Sequence, residues 1–171
     1  MDAEIRPPTL LDLPSYLAGA AARVGHRLLV EALATHDLRL PHFAVLTALS
    51  DFGPLPQHEL ADRLAINRSH LVGYLDDIER RGLVQRERDA QDRRRQHVAL
   101  TPTGRVQLRD LHQVALRAQA EFLQALTQDE QQTLIALLRR VLNANDKARL
   151  ESDAPAVPRP GASGRTGRRG S

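Results

Sequence analysis

RERDAQDRRRQHVALT, residues 86–101, sets three consecutive arginines (Arg93, Arg94, Arg95) between two short runs with strand character. Gln96, Val98 and Leu100 alternate with Arg95, His97 and Ala99, the period of two expected of a half-buried ribbon. LVQRER, residues 83–88, supplies the antiparallel partner, and the polar insert DAQDRR, residues 89–94, is the loop. The stretch therefore predicts a β-hairpin with an arginine-rich tip. An arginine cluster alone reads as a solvated loop, so the flanking elements decide what the hairpin is for.

Upstream, PQHELADRLA, residues 56–65, reads as a short helix with Pro56 at its first position and Leu60 and Leu64 facing inward. NRSHLVGYLDDIERRG, residues 67–82, reads as a second helix capped by Asn67 or Ser69, with Leu71, Leu75 and Ile78 buried and Gly82 as the stop. A helix, a tight turn and a capped second helix are the layout of a helix-turn-helix. With the hairpin directly behind it, the unit is a winged helix.

Longer helical patterns flank this unit. Residues 1–11, with Pro7 and Pro8, read as a flexible arm. Asp12 is a plausible N-cap for a helix over residues 12–38, where Leu13, Leu17, Ala20, Ala21, Val24, Leu28 and Leu33 form one apolar stripe. Residues 39–101 hold the winged helix, beginning with a short helix from Pro41 that carries Phe43, Leu46 and Leu49 and ends near Gly53. Across residues 102–147, Thr101 caps and Pro102 starts a long helix with Val106, Leu111, Ala115, Ala118, Phe122 and Leu126 as its stripe. Thr127 and Glu130 then form a capping box ahead of Leu134, Leu137, Leu138, Val141 and Leu142. Residues 148–171, rich in Pro, Gly and Arg, read as a disordered basic tail. The fold class is mainly α with a small β-hairpin wing.

Composition narrows the function. The 171 residues are 42% hydrophobic and 26% charged, enough for a core. The absence of cysteine excludes disulfides, thiolate metal sites and cysteine redox sensing. MDAEIRPPTLLDLP lacks the charged-then-apolar plan of a secretory signal, and no window reaches the ~18 apolar residues of a membrane span. A soluble cytoplasmic protein without membrane contact is expected. Net charge is +3, but Lys147 is the sole lysine, and with arginine as the base the pI rises to about 10.1. Such a pI points to nucleic acid. Aromatic residues are only 3%, which disfavours single-strand grip by base stacking and leaves double-stranded DNA. No glycine-rich phosphate loop or nucleophile–base motif is present, so an enzyme is not expected, nor any cofactor. The seven histidines show no His-x₃-His or HExxH spacing, and no metal site is assigned.

DRRRQHVALTPTG, residues 92–104, preceded by IERRGLVQRERD, residues 78–89, resembles the wing signature of the MarR-type transcriptional regulators. That signature is an Asp-x-Arg followed at fixed distance by Leu-Thr-x-x-Gly. The resemblance covers roughly residues 12–145, with Ile78 where the family pattern has leucine. It implies that Arg94 enters the minor groove, held by Asp92, while Arg93 and Arg95 meet phosphates or solvent. The helix from Asn67 becomes the recognition helix in the major groove, presenting Asn67, Arg68, Ser69, His70, Val72 and Gly73. Gly73 departs from the larger polar residue expected there. Gln57 and His58 can meet a phosphate at the preceding helix N-terminus.

Asp76, Asp77 and Glu79 would repel phosphate and are expected to sit away from the DNA backbone. Asn67 and Ser69 serve as caps, base contacts or both. Arg80 and Arg81 suit the helix C-terminus, and Arg86 and Arg88 either solvate the wing or contact DNA.

The resemblance further implies a homodimer on a pseudo-palindromic operator, built by the first and last helices, whose apolar stripes exceed what a winged helix covers. It implies a repressor governed by a small-molecule effector, frequently phenolic or aromatic, with Tyr16, Arg23, His26, His42 and His112 as candidate lining residues. Three alternatives stay open. One is a nonspecific architectural DNA binder that uses the basic tail. Another is a zinc-responsive variant in which His26, His36, His42 and His112 converge. The last is a winged helix turned to protein interaction.

Overall fold

A computed structural model of the chain describes residues 5–88 and 96–152. It has one compact unit through Ala125 and a second from Leu126 onward. The wing-tip residues Asp92, Arg93, Arg94 and Arg95, and the tail from residue 153, lie outside the described residues.

A one-turn helix α1 (Pro8–Leu11) stands where an extended arm is expected. Pro8 brings the φ of a first helical residue with it. Asp12 ends this turn and does not cap the next helix, α2 (Pro14–Ala34). The residue before a proline is pushed to extended backbone, so Leu13, at φ −98° and ψ 109°, takes the N-cap place without a side-chain bond. Along α2, Ala20 and Leu33 are buried, whereas Leu13 and Leu17 are 47% and 43% exposed. Only part of the stripe meets the unit's own core.

The central helix is α3 (Leu40–Phe52), and four of its apolar residues (Val45, Leu46, Ala48, Leu49) are buried. A two-residue strand β1 (Leu55–Pro56) follows, which sequence periodicity does not announce. Then come α4 (Gln57–Leu64) and α5 (Arg68–Arg80), joined by a turn in which Ala65 is left-handed at φ 50°. Pro56 is the N-cap of α4 rather than its first residue. Strands β2 (Val84–Arg88) and β3 (Gln96–Leu100) form the expected hairpin, and β1 adds to the other edge of β3. The register pairs Leu55 with Val98, Arg86 with Val98 and Val84 with Leu100, all antiparallel. Strict alternation fails at the inner end of β3, where Val98, Ala99 and Leu100 are all buried.

Helix α6 (Pro102–Phe122) begins as expected, with the Thr101 hydroxyl accepting the Gly104 N–H at 2.9 Å. Its inward stripe differs from the sequence expectation. Leu108, Leu111, Val114 and Ala118 are buried, while Val106 is 50% exposed. The shared core joins Leu33, Leu46, Leu60, Leu71, Ile78 and Leu111, each at 0% exposure. At roughly 1.5–3 kcal/mol per buried leucine or isoleucine, this cluster dominates the stability of the unit.

The second unit is α7 (Gln128–Ser152). Its start is the capping box read from sequence: Glu130 accepts from the Thr127 N–H at 2.8 Å and from its hydroxyl at 2.9 Å. Those two bonds to Thr127 hold the Glu130 carboxyl below its ordinary value. The helix runs past residue 147, where the tail is expected to begin. Ile135, Leu137, Leu138, Val141 and Leu142 stand 43–60% exposed along it.

Candidate nucleic-acid interface

The helix-turn-helix is set by two local devices. Left-handed Ala65 reverses the chain after α4, and its neighbour Ile66 donates its N–H to Ala61 O at 3.0 Å. Asn67 then caps α5, its Oδ1 accepting the Ser69 N–H at 2.9 Å and the Ser69 hydroxyl at 2.7 Å. Of the two cap candidates it is Asn67 that caps, and Ser69 is tied to it. Burial of Leu71, Leu75 and Ile78 turns the opposite face outward, so Asn67, Arg68, Ser69, His70, Val72 and Gly73 are all exposed. The six candidates are thus all exposed over the first two turns of α5. A Cβ on Gly73 would meet nothing within 4 Å, so the gap there is open space, not packing. Arg68 forms an exposed ion pair with Asp62 at 3.3 Å, of the kind worth under about 1 kcal/mol and readily exchanged for a phosphate or base edge. Gln57 is the first residue of α4 and half-buried, and His58 beside it is exposed.

The acidic residues on α5 are not simply turned away. Glu79 binds the Arg86 guanidinium and also accepts the Arg86 backbone N–H at 3.1 Å. Asp76 takes the other arm of Arg86 at 2.6 Å. Hydrogen bonding to Asp76 first, and the charge of Glu79, raise the Arg86 pKa above its ordinary value. Arg86 is therefore a clasp between the wing strand β2 and α5, its guanidinium engaged by two carboxylates rather than solvating the wing. Asp77 pairs with Arg80 and lies 3.6 Å from Arg39. Sequence reading missed both clusters because the partners are seven, ten and thirty-eight residues apart, outside any helical spacing rule. With each carboxylate beside an arginine, the outward face of α5 loses the repulsion that its composition suggests.

The wing is tied down at its base. Gly82, at φ 69°, ends α5, and Leu83 donates its N–H to Ile78 O at 2.9 Å. The Thr101 N–H donates to Leu83 O at 3.1 Å, and its hydroxyl donates to Gly82 O at 2.6 Å. One residue thus caps α6 and closes the hairpin onto the end of α5.

An apolar cavity of about 560 Å³ opens between α2, the start of α3 and the α4–α5 turn, lined by His26, Val30, Ala34, Leu38, Arg39, Leu40, Pro41, Ala44, Leu64 and Ile66. Of the five effector candidates, His26 lines it. Tyr16, Arg23, His42 and His112 are not among its walls. His42 is 1% exposed at the start of α3, and His112 meets the edge of Phe43 at 5.7 Å. His36 contacts Gln107 at 3.2 Å. Among the described residues, no three histidine or carboxylate side chains are grouped as metal ligands, and no helix is long and apolar enough to cross a membrane.

Comparison with known proteins places these features. A family model described as MarR family matches residues 36–95. Transcriptional regulator HosA of Escherichia coli O157:H7 is 35% identical over 107 residues, covering 63% of this chain and 79% of that protein. The apo form of wild-type MarR from E. coli superposes with a TM-score of 0.69 at 29% identity, covering 76% of this chain and 96% of that one. The PcaV transcriptional regulator from Streptomyces coelicolor, solved in complex with its natural ligand, gives 0.65 at 30% identity, covering 82% and 99%.

Proposed function

Because this chain belongs to the MarR family and is a transcriptional regulator rather than an enzyme, we propose that it is a cytoplasmic homodimer that reads a pseudo-palindromic double-stranded DNA operator and acts as a repressor. The observation that carries this reading is the exposed first half of α5, where Arg68, Ser69 and His70 face solvent while Asp76, Asp77 and Glu79 are neutralised by neighbouring arginines. Arg68 suits guanine edges and Asn67 adenine edges. Gln57 and His58 face a phosphate at the α4 N-terminus. Arg94, steadied by Asp92, enters the minor groove, and Arg93 and Arg95 meet phosphates.

Two further features support the rest of the proposal. The apolar residues left exposed on α7, and Leu13 and Leu17 on α2, are dimer-forming surface. The 560 Å³ apolar cavity, with His26 and Arg39 as its polar groups, suits a small aromatic acid. PcaV, similar to this chain, is solved with a natural ligand. An occupant there would press on Leu64 and Ile66, directly ahead of the recognition helix.

The test is binding to short duplexes tiled across the DNA upstream of the protein's own gene, at two salt concentrations, with Arg94→Ala alongside. One duplex is expected to bind at least about 10³-fold more tightly than the rest. Arg94→Ala is expected to weaken that duplex by roughly tenfold to a hundredfold. Uniform binding that collapses in salt would replace this proposal with a nonspecific architectural role.

A further inference from the structure

The start of α3 holds a histidine in an unusual setting. His42 is 1% exposed, and its Nδ1 accepts the Arg39 backbone N–H at 3.2 Å, closing the first turn of the helix. Accepting at Nδ1 places the proton of the neutral ring on Nε2. Nε2 makes no hydrogen bond and faces Asp77 Oδ2 at 3.8 Å. The ring also meets Tyr74 edge-on, with centroids 5.6 Å apart. Tyr74 and Asp77 both belong to α5, the first directly after Gly73 and the second about one turn further on. His42 thus touches the recognition helix twice while completing the helix beneath it, and it lines a cavity of about 360 Å³ with Asp37, Asp77 and Arg81.

We propose that His42 is a positioning residue for the recognition helix: its neutral imidazole, wedged between the α3 N-terminus and Asp77, holds α5 in the DNA-reading position, and its protonation in acid releases that hold. The chemistry follows from one proton. Protonated Nδ1 can no longer accept the Arg39 N–H, so two donors confront each other where a cap stood. A positive charge also appears inside the fold. The groups facing it are Arg39 at its own helix's start, Asp77 and Arg80 with Tyr74 from α5, Arg81 just beyond, and Asp37 from the turn before α3. Three arginines against two aspartates do not favour a further cation.

The direction of titration agrees with that geometry. Burial first, and the charge of Arg39 next, lower the His42 pKa from its ordinary 6.5 against the pull of Asp77. A lowered folded pKa means the contribution of this group to stability is fully present above the unfolded value of 6.5. It is lost as pH falls from there through the folded pKa. Comparison with a variant that cannot titrate at position 42 isolates the part that His42 plays.

This inference rests on the DNA-binding reading, and its test distinguishes the two failures. Duplex affinity and thermal stability are measured from about pH 7.5 to about pH 5 for the full chain, His42→Asn and Asp77→Asn, with the His42 ring followed by NMR. Asparagine keeps an acceptor for the Arg39 N–H but cannot be protonated. The native protein is expected to lose about fivefold or more in operator affinity relative to His42→Asn on acidification. Asp77→Asn is expected to move the His42 titration to lower pH. Parallel pH profiles for the native protein and His42→Asn, in affinity and in stability, would overturn the proposal. If no duplex binds at about pH 7.5, the DNA-binding reading fails on its own. The hold of His42 on α5 then stands if stability alone shows the same difference between native protein and variant, and falls if it does not.

Discussion

Gly104→Val is expected to unfold the winged helix, and Gly104→Ala to remove about 2–4 kcal/mol of its stability. A Cβ at Gly104 would lie 1.9 Å from Leu83 O and 2.9 Å from the carbonyl carbon, far inside contact distance and against backbone. That carbonyl cannot retreat. It accepts the Thr101 N–H at 3.1 Å, and the Leu83 N–H is itself bonded to Ile78 O at 2.9 Å. A side chain at 104 must therefore pry α6 off the end of α5 and break the Thr101 bonds that close the wing. A domain of this kind is stable by only about 5–15 kcal/mol, so the larger substitution exceeds what the fold can absorb. Gly73→Ala is the internal contrast, since a Cβ there meets nothing and alanine is the better helix former by about 1 kcal/mol. Denaturant midpoints should fall steeply for Gly104→Ala and hold or rise for Gly73→Ala. Equal midpoints for Gly104→Ala and the native protein would refute the close approach.

Arg86→Ala is expected to harm DNA binding more than folding. The Arg86 side chain is 27% exposed, and its partners Glu79 and Asp76 are 34% and 50% exposed, so water stabilises much of what is unpaired. The loss of stability is accordingly set at about 1 kcal/mol. Function is different, because removal strips the countercharge from two carboxylates on the recognition helix and frees β2 from α5. Operator affinity is expected to drop roughly tenfold, with a steeper fall than stability alone explains. Arg86→Lys, which keeps the charge but not the two-armed fork, should fall between. Fluorescence anisotropy with a labelled duplex reads the affinity, and a thermal melt reads the fold. Unchanged affinity would show that the clasp is bystander packing.

The elements legible in the sequence are those specified by neighbours in the chain. Asn67, Gly82, Thr101 with Pro102, and the Thr127–Glu130 box were readable because a cap or stop is a local hydrogen-bonding problem with few chemical solutions. The stripe of α6 was not, because apolar residues at Val106 and Leu108 satisfy helical spacing equally until the partner helices choose Leu108. Strand β1, two residues long, carries no periodicity, and Ala99 is buried against the expected alternation. The Asp12 cap failed for a local reason that was available, the proline at 14 forcing Leu13 into the extended region.

The site divides the same way. The outward face of α5 follows from the spacing of Leu71, Leu75 and Ile78. The neutralisation of its carboxylates by Arg39 and Arg86 needs the tertiary fold. His42 shows the same gap: its place on an apolar helix gives no sign of its burial or of the Asp77 carboxylate that it faces on α5.

The most direct measurement is a specificity profile. Each base pair of the selected operator is replaced in turn, and binding is compared for the native protein and Arg68→Ala. If α5 of a two-fold dimer reads base edges, Arg68→Ala should relax discrimination at one position in each half-site, the two lying about 10 base pairs apart and related by the dyad. The loss should be about 1–3 kcal/mol at those positions and little elsewhere. Uniform weakening across every substituted duplex, with a shallower salt slope, would reduce Arg68 to a phosphate contact and contradict readout by this helix.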